Sequence, residues 1–168
     1  MTCKQGQGRP VQILTPIPDA FLPDAARLWC NAFAPRSRQA AMRADHGIAA
    51  VRWGQVVGIC GLRNAGGGFP ATSMRGGFAF RAAPQTSDLV LDGLVVAETR
   101  QGIGRELVMA AARQAGLRGH PGLRAEVRIA NRPAMAFYRA LGFIEVTRGH
   151  FGWPWGGQVA VLHLPVDD

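Results

Sequence analysis

The chain has 168 residues, 48% of them apolar and 18% charged, with a net charge of +8. This length suits one domain with a buried core, and no apolar run approaches the roughly 18–20 residues of a membrane span, so no membrane partner is expected. The charge excess is arginine, Lys4 being the one lysine, and these arginines are dispersed without an interleaved aromatic platform, so no nucleic-acid partner is expected. A basic rim still suits an anionic ligand. Cys3, Cys30 and Cys60 are odd in number and far apart. No C-x-x-C spacing or histidine cluster argues for zinc, so no metal is expected. The first residues lack the apolar run of a signal peptide, and reduced thiols in a cytoplasmic protein are the expectation.

Residues 1–10 are polar and glycine-rich, a candidate flexible tail, with residues 11–168 expected to form a single domain. A short strand is expected over residues 11–14. From Pro23 a helix fits, with Asp24 complementing its N-terminal dipole and Leu28, Trp29 and Phe33 at helical spacing. Residues 36–44 suggest a second helix. Residues 47–53 and 56–62 are apolar runs flanking Gly54-Gln55, which reads as a hairpin with a two-residue turn led by glycine. Residues 64–84 are the least regular stretch, with Gly66-Gly67-Gly68, Pro70 and Gly76-Gly77, and predict a loop or a short helix. Residues 89–96 form a strand whose internal Gly93 points to a bulge or a close backbone approach.

Residues 102–116 predict a helix facing Leu107, Val108 and Ala111 inward and ended by Gly116 or Gly119. Residues 123–129 alternate Leu123, Ala125, Val127 and Ile129 with Arg124, Glu126 and Arg128, the pattern of a half-buried strand. Residues 132–141 predict a helix with Pro133 in its first turn and Gly142 at its end. Strands are expected over 143–147 and 159–164. This order predicts an α/β sandwich around a mixed central sheet.

Two stretches carry chemistry. The glycine turn Gln101-Gly102-Ile103-Gly104-Arg105 opens a long helix. The first amides of a helix lack internal partners and gain positive potential from the dipole, and glycine lets a backbone approach an anion closely. That is the physics of a pyrophosphate cradle, to which Arg100 and Arg105 could add charge. Many helices also start after glycine for packing alone. The chain lacks the Gly-Lys-Ser/Thr of a nucleotide phosphate loop, and Leu107 stands where a dinucleotide fingerprint needs glycine. The second stretch runs from Asn131, at a strand end, to Tyr138, two helical turns on, and the stop Leu141-Gly142-Phe143. By spacing alone, Tyr138 reads as readily as a packing residue with its hydroxyl in water.

Taken together, residues 95–143 resemble the core of the Gcn5-related N-acetyltransferase (GNAT) superfamily. There an Asn ends a strand, and a Tyr lies on the next helix before Leu-Gly-Phe, matched here by Asn131, Tyr138, Leu141, Gly142 and Phe143, with Ala134 at a small position. The glycine signature Q/R-x-x-G-x-G/A meets Thr99 to Gly104 here, with Thr99 at its first place and an approach about two residues short.

The resemblance implies a mixed, mostly antiparallel sheet flanked by helices on both faces. It implies N-acetyl transfer from acetyl-CoA directly to a primary amine. The cofactor would enter between the strands at 89–96 and 123–129, pair with backbone at Leu94, Val95 and Val96, and rest its pyrophosphate on Gln101, Gly102, Ile103, Gly104 and Arg105. Asn131, Ala134 and Tyr138 belong to the same implied site. Tyr138 would protonate the leaving sulfur, and an amide near Val95 or Val96 would polarise the carbonyl. Asp92 is the first candidate base, although a hydrogen-bonded residue at a bulge explains it equally well. Glu98 and Glu126 follow, Glu126 reading better as the exposed face of its strand. The four histidines show no pattern. Phe33, Phe151, Trp153 and Trp155 could wall an acceptor site or pack beneath a loop. Few acidic residues lie near those segments, which favours a small-molecule amine or amino-acid-like acceptor over a polycation. A protein N-terminus or lysine, or a non-catalytic CoA-binding module, are the alternatives. A homodimer is common in the family.

Overall fold

Apolar residues of the central strands alternate between two faces, and helices cover both. The computed structural model describes residues 10–33, 41–71 and 79–166. The strands are β1 (Gln12–Leu14), β2 (Gly47–Arg52), β3 (Gln55–Asn64), β4 (Gly67–Gly68), β5 (Leu89–Val96), β6 (Gly122–Arg128), β7 (Ile144–Gly149) and β8 (Val159–Pro165). The helices are α1 (Leu22–Phe33), α2 (Ile103–Leu117) and α3 (Arg132–Ala140), with single 3-10 turns at Ala44–His46 and Pro154–Gly156. The strands lie in one sheet ordered β1-β2-β3-β5-β6-β8-β7, and β4 pairs with β3 off this path. Every pairing is antiparallel except β5 with β6. This is the mixed, mostly antiparallel sheet that was expected.

On one face α2 and α3 bury Ile103, Leu107, Val108, Met135 and Tyr138 against Ile48, Cys60, Leu62, Leu123 and Leu162. On the other, Ala25 and Trp29 of α1 cover Ala49, Val51, Ile59 and Phe69. Among the described residues no helix is long and apolar enough to cross a membrane, and no group of three metal-ligating side chains occurs.

Three local readings need correction. The β2–β3 turn is Trp53-Gly54, with φ of 51° and 73°, so glycine comes second. A two-residue turn matching the strand twist takes both residues left-handed, and here Trp53 adopts that angle too. The expected helix over 36–44 is absent in its described part. Residues 34–40 lie outside the described residues, Met42 bridges Pro70, and Ala44–His46 is a 3-10 turn. Within 64–84, a short strand, β4, returns along β3, while residues 72–78 lie outside the described residues.

The feature that positions the site is a divergence of β5 and β6. They pair only at Leu89 with Leu123 and Val90 with Arg124, although both strands continue. Just past that point β5 bulges. Leu91 pairs with Leu62 and Leu94 with Cys60, so Asp92 and Gly93 oppose Gly61 alone. Gly93 has φ of 125°, and a Cβ there would lie 2.6 Å from Trp29 Nε1 and 2.7 Å from the Phe33 ring. Trp29 Nε1 donates to the Asp92 carbonyl at 3.2 Å. Gly93 is therefore both a bulge and a close approach, bending β5 under α1 and opening a gap toward β6.

Candidate active site

The gap is lined on one side by the half-buried Leu94, Val95 and Val96, which pair with Cys60, Ile59 and Gly58 on β3. Past Val90, β5 has no strand partner on the β6 side, so alternate backbone groups there face the gap, as an extended ligand chain would require.

Beyond Val96 the chain turns into α2. Gly102 takes φ of 76°, and a Cβ there would meet nothing within 4 Å. The first helical bond runs from Glu106 N to Gly102 O at 3.1 Å, leaving the amides of Ile103, Gly104 and Arg105 ahead of it. The turn is thus open and edged by donors, which fits a phosphate group. Gly104 also has a packing role. It has no left-handed angle, and a Cβ there would lie 3.4 Å from the Phe137 ring, so its smallness seats α2 against α3. Arg100 is exposed and left-handed, with φ of 61°. Arg105 is exposed as well.

Arg52 holds this turn, a role that sequence reasoning missed. Its Nη1 donates to Gln101 Oε1 at 2.5 Å and to Glu98 Oε2 at 3.1 Å, with 12% of its side chain exposed. Glu98 is therefore tied to the loop's brace. The partners are 46 and 49 residues away from Arg52 in sequence, and no local pattern reveals such a pairing.

Tyr138 sits in the interior. It is 8% exposed, and its ring meets Phe137 and Phe143 edge-on at 5.2 Å each. Burial, then the nearby Cys60 thiol, push its phenol pKa up. The phenol therefore stays protonated at neutral pH, as a proton donor must. The ring is packed in the core, as the packing reading expects. Cys60, in register with Leu94, has its own pKa pushed up by burial and then by Asp92, which makes it an inert thiol. Upstream, Asn131 caps α3 by accepting from Ala134 N at 3.2 Å, so that side-chain oxygen is engaged in starting the helix that carries Tyr138.

On the α1 face two adjoining cavities, about 810 Å³ and 540 Å³, share Phe33, Arg63, Phe80, Glu126 and Trp153. The 79–88 segment joins the β7–β8 loop through paired backbone bonds between Arg81 and Gly152, at 2.9 Å and 2.6 Å. Phe33 and Trp153 line both cavities, and Phe151 lines the larger. Trp155 lines neither. It stacks on Trp153 at 5.2 Å and is 76% exposed, because the loop turns it outward, where it braces its neighbour.

Asp92 borders the smaller cavity with 11% of its side chain exposed, and its Oδ1 lies 3.5 Å from Arg63 Nε. Arg63 reaches Glu126 at 3.4 Å, and Glu126 meets Arg124 at 3.1 Å. At Arg124 and Glu126 the polar side of β6 is therefore not an exposed face. Arg124 is 4% exposed, with Nη1 donating to Pro84 O at 2.7 Å, because the 79–88 segment covers it. Alternation locates such a face but not what lies over it. His163 also has a partner that no sequence pattern showed, Asp88 Oδ2 at 2.8 Å from its Nδ1.

Solved structures share this architecture. Ribosomal-protein-S18-alanine N-acetyltransferase from Escherichia coli is 18% identical, covers 95% of this chain and 96% of its own, and has a TM-score of 0.58. Arabidopsis thaliana Naa50, in complex with a bisubstrate analogue CoA-Ac-MVNAL, is 16% identical over 92% and 97%, with a TM-score of 0.62. Nourseothricin acetyltransferase is 22% identical over 72% and 65%, with a TM-score of 0.53. At these identities the likeness is one of fold. No curated protein sequence matches the chain. The profile of the Acetyltransferase (GNAT) family matches residues 14–143, from the end of β1 through the Tyr138 helix and its Phe143 stop, and the chain belongs to that family.

Proposed function

We propose that this protein transfers an acetyl group from acetyl-CoA directly to the primary amine of a small molecule. The carrying observation is the loss of β5–β6 pairing past Val90; the open amide turn at Gly102 and the buried, protonated Tyr138 support the same reading. Acetyl-CoA supplies the activated acyl group as a thioester. The amides of Ile103, Gly104 and Arg105 hold its pyrophosphate, and the backbone of Leu94, Val95 and Val96 holds the pantetheine arm. An amide near Val95 or Val96 polarises the thioester carbonyl. Tyr138 donates its hydroxyl proton to the departing sulfur. Asp92 accepts the amine's proton, directly or through one water, and Arg63 orients its carboxylate.

The bridge between Arg81 and Gly152 supports a small acceptor over an extended polypeptide, since it ties together two segments lining the larger cavity. The test is release of free CoA thiol across an amine panel with the wild type and Tyr138→Phe. The proposal expects release with small amines in preference to peptides, reduced about tenfold or more by the substitution. Release with peptides alone would move the acceptor to the protein class. Acetyl-CoA binding without release to any amine would leave a non-catalytic CoA-binding module.

A further inference from the structure

Charge on the cavity walls is unevenly matched. Arg63 is met by Asp92 and Glu126, Arg124 by Glu126, and Asp88 by His163. Arg128 also lines the larger cavity, and it has no ion-pair partner among the described residues. It is exposed, at the end of β6. The β7–β8 loop lies against it: a Cβ on Gly156 would stand 3.5 Å from its Nη2. Trp153 and Phe151 line the same space. An unpaired guanidinium held by a loop in an aromatic-walled cavity is suited to bind a planar anion in a bidentate way.

Its place relative to the reacting groups narrows the ligand further. Glu126 and Arg128 project to the same face of β6, about 6.5 Å apart along the strand. Val90 pairs with Arg124, and Asp92 and Glu126 each lie two residues beyond that last pairing. Asp92 borders the smaller of the two adjoining cavities, Arg128 the larger, and Glu126 lines both. A molecule spanning them carries an amine and an anionic group a few bonds apart.

Resting on the acetyl-transfer reading above, we infer that the acceptor is an amino acid or a close relative of one, its amine directed at Asp92 and its carboxylate held by Arg128. Arg128 is then a specificity-determining residue. A polyamine lacks the anion, and at a protein N-terminus the α-carboxylate is replaced by a neutral amide.

The experiment measures thiol release from acetyl-CoA with α-amino acids and with the matching amino acid amides, for the wild type, Arg128→Met and Arg128→Lys. An amide has a less basic amine than its acid, so the readout is how each variant changes the acid-to-amide ratio of kcat/KM, a comparison in which amine basicity cancels. The expected result is a ratio about tenfold or more lower in Arg128→Met and partly restored in Arg128→Lys, with Tm and acetyl-CoA affinity unchanged. An unchanged ratio in Arg128→Met overturns the inference, as does release with amides or polyamines but not with acids. In both cases acetyl-CoA still binds and thiol is still released, so the transferase reading stands. Absence of acetyl-CoA binding, with no release to any amine, overturns that underlying reading instead.

Discussion

Phe143 donates its amide to the Tyr138 carbonyl at 3.1 Å, and the two rings meet edge to face at 5.2 Å. With Gly142 N donating to Arg139 O at 3.0 Å and Gly142 at φ of 94°, this is a left-handed glycine cap with its hydrophobic clasp. The Leu141-Gly142-Phe143 stop thus does more than end α3. It clamps the residue whose hydroxyl is proposed to act. Tyr138→Phe keeps the ring and the clamp while removing the proton. Turnover should fall about tenfold or more with acetyl-CoA affinity retained. Steady-state rates beside a binding titration check this, and an unchanged kcat would rule the phenol out as the acid.

The same burial has a consequence for pH. The phenol pKa of Tyr138 is raised in the folded state, whereas in the unfolded chain it titrates near its ordinary value of about 10. Above that pH the unfolded chain releases a proton that the folded chain keeps, so stability falls as pH rises. Cys60, raised in the same direction, adds a like loss beginning at about 8.5. Urea midpoints measured at pH 8 and near pH 11 should show a decline in the wild type and a shallower one in Tyr138→Phe. An equally steep decline in the variant would contradict a raised phenol pKa in the folded state.

Gly93→Ala tests the bulge. The added methyl would have to occupy space taken by Trp29 and Phe33, at a backbone angle that L residues rarely adopt. The cost should be on the order of 2–4 kcal/mol, and Tm should fall by roughly 5–15 °C. A Tm within a degree of the wild type would mean that β5 does not approach α1 so closely.

Arg52→Met tests the brace on the phosphate turn. Losing bonds to Gln101 and Glu98 should loosen the turn without touching Tyr138. The Kd for acetyl-CoA should rise about three- to tenfold while kcat changes little. Calorimetric titration and saturation kinetics together check the split. A fall in kcat with unchanged Kd would place Arg52 in the chemistry instead.

What was legible followed from local physics. Asn131, Pro133 and Gly142 mark helix ends, so α3 and the place of Tyr138 could be read directly. Gly93, alone inside an apolar run, signalled its bulge. Features made by distant segments could not be read. Arg52 meets residues nearly fifty positions away, and Arg124 is buried by a segment forty positions upstream. The packing of Gly104 against Phe137 could not be read, because glycine spacing does not distinguish an unusual backbone angle from a tight helix crossing. Trp155 looked like cavity wall because stacking with Trp153 turns on loop geometry that Gly152 and Gly157, both left-handed, control.

Acetyl-CoA is proposed to lie in the gap between β5 and β6, with its pyrophosphate on the amide turn at Gly102. A thermal shift titration tests this most directly. At about a hundred times its Kd, a ligand binding only the folded chain adds about 2.7 kcal/mol, which for a protein of this size raises Tm by roughly 5–10 °C. A saturable rise of that order, weakened in Arg52→Met, is the predicted result. No shift at millimolar acetyl-CoA would contradict the assignment of the site.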